Sequence, residues 1–308
     1  MSQAYLGIFR RCTGAGLSDL PRRTATDCPM LAAKRKNLMV EIDRLYLESG
    51  LPYKLNSTVS VRHPLLQDIL GLGRNGESIY WEYVGRVIAD PYQNMVWLDD
   101  NGIDYEDVDC FDVFCLQWKY LSNIYSQNKT AFDQSGFNPL IPIAAALDFF
   151  LGENHAYRLS SSGSNDTYIE DPFVNDFSIN REEYLAFSTF VQKINGISFE
   201  GRIKPRDKTA KRILIEDMRD EINRKKNKPQ TAGTDESSSF LGNMVASVLH
   251  GGNGAINTFN FTGAPIFSIV SAYKVLHKKE NIDHILTGVY SGTVKSDVLK
   301  NTNMDWAT

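Results

Sequence analysis

The chain has 308 residues, of which 42% are hydrophobic and 23% charged, with a formal net charge of −4. This is enough for one large core or two modest ones, since domains usually contain about 100–200 residues, and it excludes a chain that is disordered throughout. The apolar runs fall short of the roughly 20 residues that span a bilayer, and Arg10 and Arg11 interrupt the N-terminal apolar stretch before a secretory signal develops. We therefore expect a soluble, cytoplasmic protein.

Residues 1–38 lack apolar periodicity and contain Gly, Pro, Thr and several basic side chains. Two interpretations remain open for this segment. It is either a flexible basic N-terminal arm or an extension upstream of a natural start at Met39. Both interpretations keep residues 1–38 out of the core.

Residues 39–200 begin with short strands and continue as helices. Residues 44–47, 53–55 and 58–61 have the apolar alternation and flanking turn residues of strands. After Pro64 the spacing of apolar residues becomes helical and predicts a helix that ends at Gly71. Further helices are predicted at 77–89, 92–100, 105–124, 141–151 and, capped by Asn180, up to Gly196; residues 126–140 are predicted as a loop and 156–179 as a β insertion.

Residues 201–308 are predicted to be helical. Asp207 can cap a charged helix at 208–226, in which Leu214, Met218 and Ile222 recur at every fourth position. Such an apolar stripe on a charged helix requires a surface to cover it. Further helices are predicted at 240–249, 265–279 and 281–290, with a Gly/Asn-rich loop at 250–263.

Together these elements predict an α+β fold that is predominantly α-helical, with a small N-terminal β-element followed by a helical bundle that carries a short β insertion. The predicted domain organisation has three parts. These are the N-terminal arm or extension (1–38), a β-element plus helical domain (39–200) and a C-terminal helical region (201–308).

The charges are unevenly distributed along the chain. Between Asp99 and Asp112 there are seven acidic residues and no basic one, which we interpret as a solvated face. Between Arg202 and Lys228 there are eleven basic residues and five acidic ones. Because acids are interleaved with the bases and aromatic residues for base stacking are lacking, this stretch favours a solvated or protein-facing helix over a nucleic-acid-binding one.

Each candidate catalytic or metal-binding pattern in the sequence lacks a feature that its chemistry requires. Gly71-Leu-Gly-Arg-Asn-Gly76 follows a predicted helix where a dinucleotide site requires a strand, and His250-Gly-Gly-Asn-Gly254 has no G-x-S-x-G to supply a nucleophile. His277 and His284 flank Asp283 without a further well-placed ligand. The cysteines form no C-x-x-C pair and are predicted to be reduced thiols: Cys12, Cys28, Cys110 and Cys115. We expect neither an enzyme nor a cofactor.

The C-terminal segment carries a family resemblance. Ile285-Leu-Thr-Gly-Val-Tyr-Ser-Gly292, followed by Val298-Leu-Lys-Asn-Thr-Asn-Met-Asp-Trp306, resembles the ending of tail assembly chaperones of phages and prophages of Gram-positive bacteria. Upstream, Val59-Ser-Val-Arg-His-Pro64 is similar to the opening β-element of that family, and Lys208-Thr-Ala-Lys-Arg-Ile-Leu-Ile215 to its central charged helix. Residues 1–38 have no counterpart, and the loop at 250–263 is longer than the resemblance implies.

The resemblance implies a cytoplasmic protein that binds the tape-measure protein, keeps it soluble and releases it as tail-tube subunits polymerise. The runner-up is a structural virion component such as a connector or baseplate part, and a nucleic-acid-associated phage protein is a third hypothesis. Self-association remains open. The side chains expected to contact a partner are Leu214, Met218, Ile222, Tyr273, Tyr290 and Trp306.

Overall fold

The structure is a computed structural model that describes residues 41–152, 155–161, 166–199, 202–227, 239–251, 256–257, 260–295 and 298–301. It is predominantly helical with two small antiparallel sheets, so the predicted fold class is confirmed. The predicted arm at 1–38 and Trp306 lie outside the described residues.

The N-terminal element combines one helical turn with a hairpin. Strands β1 (Tyr53–Lys54) and β2 (Ser60–Val61) pair antiparallel, which confirms the predicted β-element in a shorter form. The prediction of a strand at 44–47 is wrong, because these residues form helix α1 (Arg44–Glu48). The Asp43 side chain accepts a hydrogen bond from the Leu45 backbone N–H at 2.7 Å and so caps this helix, which outweighs the apolar alternation of the segment.

Seven helices form the body of the molecule. Short side-chain caps set two of their boundaries: Asp109 pairs with Asp112 at the start of one helix, and Asn180 pairs with Glu183 at the start of another. The Asp109 cap explains why the helix predicted at 105–124 begins five residues later, and a short helix occupies part of the loop predicted at 126–140. The helices are α2 (Leu66–Gly71), α3 (Gly76–Ile88), α4 (Met95–Asp100), α5 (Cys110–Gln127), α6 (Lys129–Ser135), α7 (Ile141–Leu151) and α8 (Arg181–Ile194).

The core is rich in aromatic side chains where α3 packs against α7 and α8, and α8 against α5. The buried phenols keep hydrogen-bond partners, since the Tyr80 hydroxyl donates to Asn195 Oδ1 at 2.8 Å and the Tyr184 hydroxyl to the Val87 carbonyl at 2.7 Å. Among the residues that the structure describes, seven aromatic side chains are less than 2% exposed: Tyr80, Tyr184, Phe111, Phe114, Phe150, Phe187 and Phe190. Burial of these large rings is the main source of stability in this part of the chain.

The predicted β insertion is present as a three-stranded antiparallel sheet. Its strands are β3 (Arg158–Ser161), β4 (Thr167–Glu170) and β5 (Ser178–Ile179), in the order β3-β4-β5. Ile169 and Ile179 face each other in the register and are both fully buried, so one face of the sheet rests on the core.

The C-terminal region contains α9 (Lys208–Asn227), α10 (Phe240–Gly251), a 3-10 turn (Phe261–Gly263), α11 (Ile266–Tyr290) and α12 (Val298–Asn301). The prediction of two helices at 265–279 and 281–290 is wrong, because α11 runs through Asn281 without interruption. Ile282 is 6% exposed, and burial of this side chain outweighs the weak helix propensity of asparagine. α10 packs on α11, and the first turns of α11 share the core of the body through Ile266 and Ile269.

Candidate protein-binding surface on the C-terminal helices

The side chains predicted to contact a partner lie at two separate places. Leu214, Met218 and Ile222 share one side of α9, where all three are partly buried, and Leu214 and Met218 pack against the core of this chain. On α11, Tyr273 is partly buried with its ring 4.4 Å from that of His277, whereas Tyr290 is 86% exposed. The apolar stripe of α9 is therefore partly covered by this chain itself.

Helix α9 lies at the edge of the molecule. It makes its main contact with the short helix α4, and none of the α9 side chains that the structure describes is fully buried. Ile213, on the outward side, is 53% exposed. A helix that buries so little of its apolar surface gains less from docking than one in the core.

Ion pairs connect α9 to the segment around α4. Lys211 Nζ pairs with Asp104 Oδ1 and Glu106 Oε2 and lies 4.6 Å from the centre of the Tyr105 ring. Two turns further on, Arg219 pairs with Asp99 Oδ2 at 3.0 Å and with Asp100 Oδ1 at 2.8 Å. We call Asp99, Asp100, Asp104 and Glu106 the acidic face.

The acidic stretch between Asp99 and Asp112 is in part the solvated face that was predicted, since five of its seven acids are exposed, whereas Asp109 is partly buried and Asp112 buried. Its carboxylates pair with cations from α9 and α8 that follow more than 65 residues later in the chain. Each ion pair with the acidic face remains accessible to water, since its carboxylates are 44–52% exposed. Pairs of this kind contribute about 0–1 kcal/mol each and weaken as salt screens them.

Lys211 is the least exposed cation of this contact. Its side chain is 15% exposed. Burial disfavours the charged ammonium group, but the hydrogen bonds and charges of Asp104 and Glu106 outweigh that effect and raise the pKa of Lys211. Lys211 therefore stays protonated across the physiological pH range and fixes the N-terminal half of α9.

The segment before α9 is anchored to the body by a buried ion pair. Arg202 Nη1 donates to Asp90 Oδ1 at 2.8 Å, and its Nη2 contacts the second oxygen of the same carboxylate. The Asp90 side chain is 1% exposed, and the guanidinium carbon lies 3.5 Å from the centre of the Phe199 ring. A bidentate, largely buried pair stacked on an aromatic ring holds residue 202 more firmly than the pairs along α9 hold that helix.

The segment after α9 is anchored through Glu77 on α3. Glu77 Oε1 accepts a hydrogen bond from the Leu241 backbone N–H at 2.8 Å, and Oε2 accepts one from the Ser239 hydroxyl. The carboxylate therefore satisfies one backbone N–H at the start of α10 and the hydroxyl of the preceding Ser239. Leu241 and Met244 of α10 are buried in the core. The chain is thus fixed to the body on both sides of α9.

Arg181, at the start of α8, binds the capping box of α5. Its guanidinium contacts Asp109 and Asp112 together, and the side-chain exposures of the three residues are 18%, 11% and 10%. Burial and the adjacent Asp112 carboxylate raise the pKa of Asp109, while the Asp112 backbone N–H and Arg181 oppose that shift. This cluster joins the N-termini of two core helices, so it is part of the body and not of the surface around α9.

The Tyr-Ser-Gly segment of the family resemblance forms the end of α11. Gly292 has a φ of +74°, and the backbone N–H of Thr293 donates to the Gly288 carbonyl at 2.9 Å. This is the hydrogen-bond pattern of a helix that ends in a left-handed glycine. The turn leaves Tyr290 on the surface at the last position of a 25-residue helix.

Two histidines that sequence patterns do not single out lie in tightly packed surroundings. His155 Nδ1 is 2.9 Å from Asp171 Oδ2, and this carboxylate also accepts from the backbone N–H groups of Ala156 and Phe173. Burial favours the protonated acid, but these hydrogen bonds together lower the pKa of Asp171. The contacts tie the turn that carries Phe173, which is 84% exposed, to the start of the β insertion.

His63 lies in the core at 6% exposure. Within the described part of the chain, neither ring nitrogen has a partner in good hydrogen-bonding geometry, and the ring meets that of Phe190 edge to face at 5.8 Å. Burial lowers the pKa of His63, although backbone groups of Pro64 and Leu47 partly oppose the shift. His63 is therefore neutral when folded at neutral pH.

The two glycine-rich motifs and the pair of histidines on α11 lie in these structural settings. α2 ends at Gly71 and α3 begins at Gly76, so the glycine pattern joins two helices, and a Cβ on Gly76 would lie 2.1 Å from the Ile69 carbonyl oxygen. Residues 252–254 of the second glycine-rich motif lie outside the described residues. His277 and His284 lie on the continuous helix α11, where His277 Nδ1 is 3.9 Å from Glu280.

No group of three metal-ligating side chains occurs among the residues that the structure describes. Burial raises the pKa of both Cys110 and Cys115 to about 12, which keeps these free thiols protonated. A groove beside Trp81, Ile88 and Phe199 has an internal volume of about 20 Å³. That is room for roughly one water molecule.

Comparison with protein-family models, with curated proteins and with solved structures found no match. In the described part of the chain, no helix combines the length and the apolar character that crossing a membrane requires.

Proposed function

We propose that this chain is a phage tail assembly chaperone that binds the tape-measure protein in the host cytoplasm and keeps it soluble during tail morphogenesis. In this proposal the chain acts by binding and not by catalysis. The proposal starts from the resemblance of residues 285–306 and of the segments near 59 and 208. It extends to the tail-tube protein as a second, later partner.

The observation that carries the proposal is the incomplete burial of apolar side chains on the C-terminal helices. Tyr290 and Ile213 are 86% and 53% exposed, and Leu214, Met218 and Ile222 are only partly buried. Amphipathic helices with partly covered stripes suit the capture of another helical protein, where apolar burial supplies affinity and surrounding charges tune rate and selectivity.

The contacts of the basic stretch support a protein partner more than a nucleic acid. Arg202, Lys211 and Arg219 pair with carboxylates of this chain. Cations that are neutralised in this way contribute less to phosphate binding, which depends on free positive charge. The hypothesis of a structural virion component gains no specific support from the geometry.

Co-expression with the tape-measure protein from the same genome tests the proposal. We expect the tape measure to become soluble and to co-purify with this chain. Ile222→Glu and Tyr290→Glu should weaken co-purification, because a charge on an apolar contact opposes its burial. Phe173→Glu is the matched control for Tyr290→Glu, since Phe173 is 84% exposed and Tyr290 86% exposed, but Phe173 lies on the β insertion.

Two results would contradict the proposal. The first is an insoluble tape measure that never co-purifies although both proteins are well expressed. The second is an equal loss of binding in the Phe173→Glu control, which would move the contact away from the C-terminal helices. Detection of this chain in purified particles would favour the structural virion component.

A further inference from the structure

The acidic face and partly covered apolar side chains of the core lie beneath α9. The acidic face presents two carboxylate pairs, Asp104 with Glu106 and Asp99 with Asp100, which bind cations eight residues apart on α9. Between those cations, Leu214, Ile215 and Met218 are partly buried against the core. This surface therefore already holds a basic amphipathic helix.

α9 is held to the body less firmly than the segments on either side of it. Its ion pairs use carboxylates that are about half exposed, whereas Asp90 of the upstream anchor is 1% exposed. Exposed pairs contribute about 0–1 kcal/mol each. Because Arg202 and the start of α10 are fixed independently, α9 can leave the acidic face while the core stays intact.

We propose that the acidic face is a docking surface for a basic amphipathic helix of a partner protein, and that α9 occupies it as a built-in competitor. The partner helix carries cations at positions i and i+8 and apolar residues at i+3, i+4 and i+7, as α9 does at Lys211, Arg219, Leu214, Ile215 and Met218. Displacement of α9 also uncovers the apolar stripe of α9, so one partner helix opens two contact surfaces.

This inference deepens the proposed function, since it defines the kind of partner segment that such a chaperone captures. Occupation of the acidic face by α9 also means that a partner binds only when its helix displaces α9. A partner helix must compete with a tethered one, so its apparent affinity is reduced by the fraction of molecules in which α9 is docked. Weakly basic or weakly apolar helices are rejected for the same reason.

The test measures binding of a labelled peptide of residues 206–227 to the full chain by fluorescence anisotropy. In the release variant, Lys211→Glu with Arg219→Glu, the tethered helix is repelled by the acidic face and the surface is free. We expect this variant to bind the peptide at least about tenfold more tightly than the unmodified chain does. The matched control is Arg212→Glu with Arg224→Glu, which makes the same charge change at two exposed positions outside this contact and should bind as the unmodified chain does.

Two further binding experiments test which side chains of the surface and of the peptide the interaction depends on. Adding Asp99→Lys and Asp104→Lys to the release variant should abolish the gain, because the four positions of the acidic face then carry no net charge. A second peptide that keeps only the two cations and three apolar residues, with Ala and Gln elsewhere, should bind the release variant as well as the first one does. Thermal unfolding of each variant confirms that the core is intact.

Several outcomes overturn the inference. One is a release variant in which hydrogen exchange of the α9 amides is faster than in the unmodified chain, while its affinity for the peptide is no higher. Another is unchanged α9 exchange in that variant, which would mean that the ion pairs do not hold the helix. A dimer of the unmodified chain that the release variant loses would assign the surface to α9 of a second copy. Because no phage protein is used, these results stand apart from the co-expression experiment.

Discussion

The helix α8 and the helix α9 are both amphipathic, but they are held by different forces. α8 buries Tyr184, Phe187 and Phe190 completely in the aromatic core. α9 is longer, with 20 residues against 14, yet its apolar side chains are only partly covered and its cations pair with exposed carboxylates. α8 is therefore held by burial, which salt barely affects, whereas α9 combines partial apolar burial with exposed ion pairs, which salt screens.

In the proposed function, this difference separates stability from binding. Burial of aromatic rings stabilises the body independently of the ion pairs at its edge. Under that proposal, exposed ion pairs hold α9 loosely enough for its apolar stripe and the surface beneath it to be exchanged for contacts with another protein.

The largest effect is expected from Phe187→Ala in α8. The side chain is fully buried, and its removal leaves a cavity that costs about 3–5 kcal/mol of unfolding free energy. Ile222→Ala in α9 is the comparison, with an expected loss below about 1 kcal/mol because its side chain is only partly buried. Urea denaturation measures both. Equal losses would contradict the separation of the two regions.

The upstream anchor should give an intermediate effect. Arg202→Ala leaves Asp90 buried without its cation, and we expect a loss of about 2–3 kcal/mol, lower than for a fully buried pair because Arg202 is 25% exposed. Arg212→Ala, at 81% exposure, should change stability by less than about 0.5 kcal/mol. Thermal unfolding compares the two variants, and a similar small change in both would show that residue 202 is not an anchor.

His63 should make the core sensitive to acid. Its pKa is lowered in the folded state, so the unfolded chain binds the proton more readily and stability rises with pH in this range. Stability should therefore fall as the pH drops below about 6.5, the ordinary pKa of histidine. His63→Leu removes the titrating group and should flatten this part of the profile. Denaturation at a series of pH values checks the effect, and an unchanged slope in the variant would assign the acid sensitivity elsewhere.

Apart from the comparison variants Ile222→Ala and Arg212→Ala, the smallest effect on global stability is expected from Lys211→Ala with Arg219→Ala. Loss of the exposed ion pairs should cost less than about 1 kcal/mol of unfolding free energy for each of the two cations. Locally, however, the amides of α9 should exchange with solvent faster while those of α8 are unchanged. Hydrogen exchange followed by mass spectrometry measures both helices in one experiment. Faster exchange throughout the molecule would mean that α9 and the core open together.

The elements that were predictable from the sequence depend on neighbouring residues. The Asn180–Glu183 capping box and the 208–226 stripe lie within single turns or a single helix, and both were predicted correctly as helical features. The errors arose where local signals competed. The Asp43 cap made residues 44–48 helical, and burial of Ile282 carried α11 through Asn281.

For the surface around α9, the sequence predicts the apolar stripe but not the surface that covers it. Helical periodicity identified Leu214, Met218 and Ile222 as one stripe, but it does not say whether the covering surface belongs to the same chain. That depends on pairings such as Lys211 with Asp104, which are 107 residues apart. The two opposite charge blocks were the available signal, and matching them to each other would have placed α9 against the acidic face.

The most direct test of this account is the salt dependence of hydrogen exchange in α8 and α9 of the unmodified chain. Between about 0.1 M and about 1 M NaCl the Debye length falls from about 10 Å to about 3 Å. If charges hold α9 and burial holds α8, exchange in residues 208–227 accelerates with salt while exchange in residues 181–194 does not. Equal protection of the two helices at every salt concentration would contradict the account.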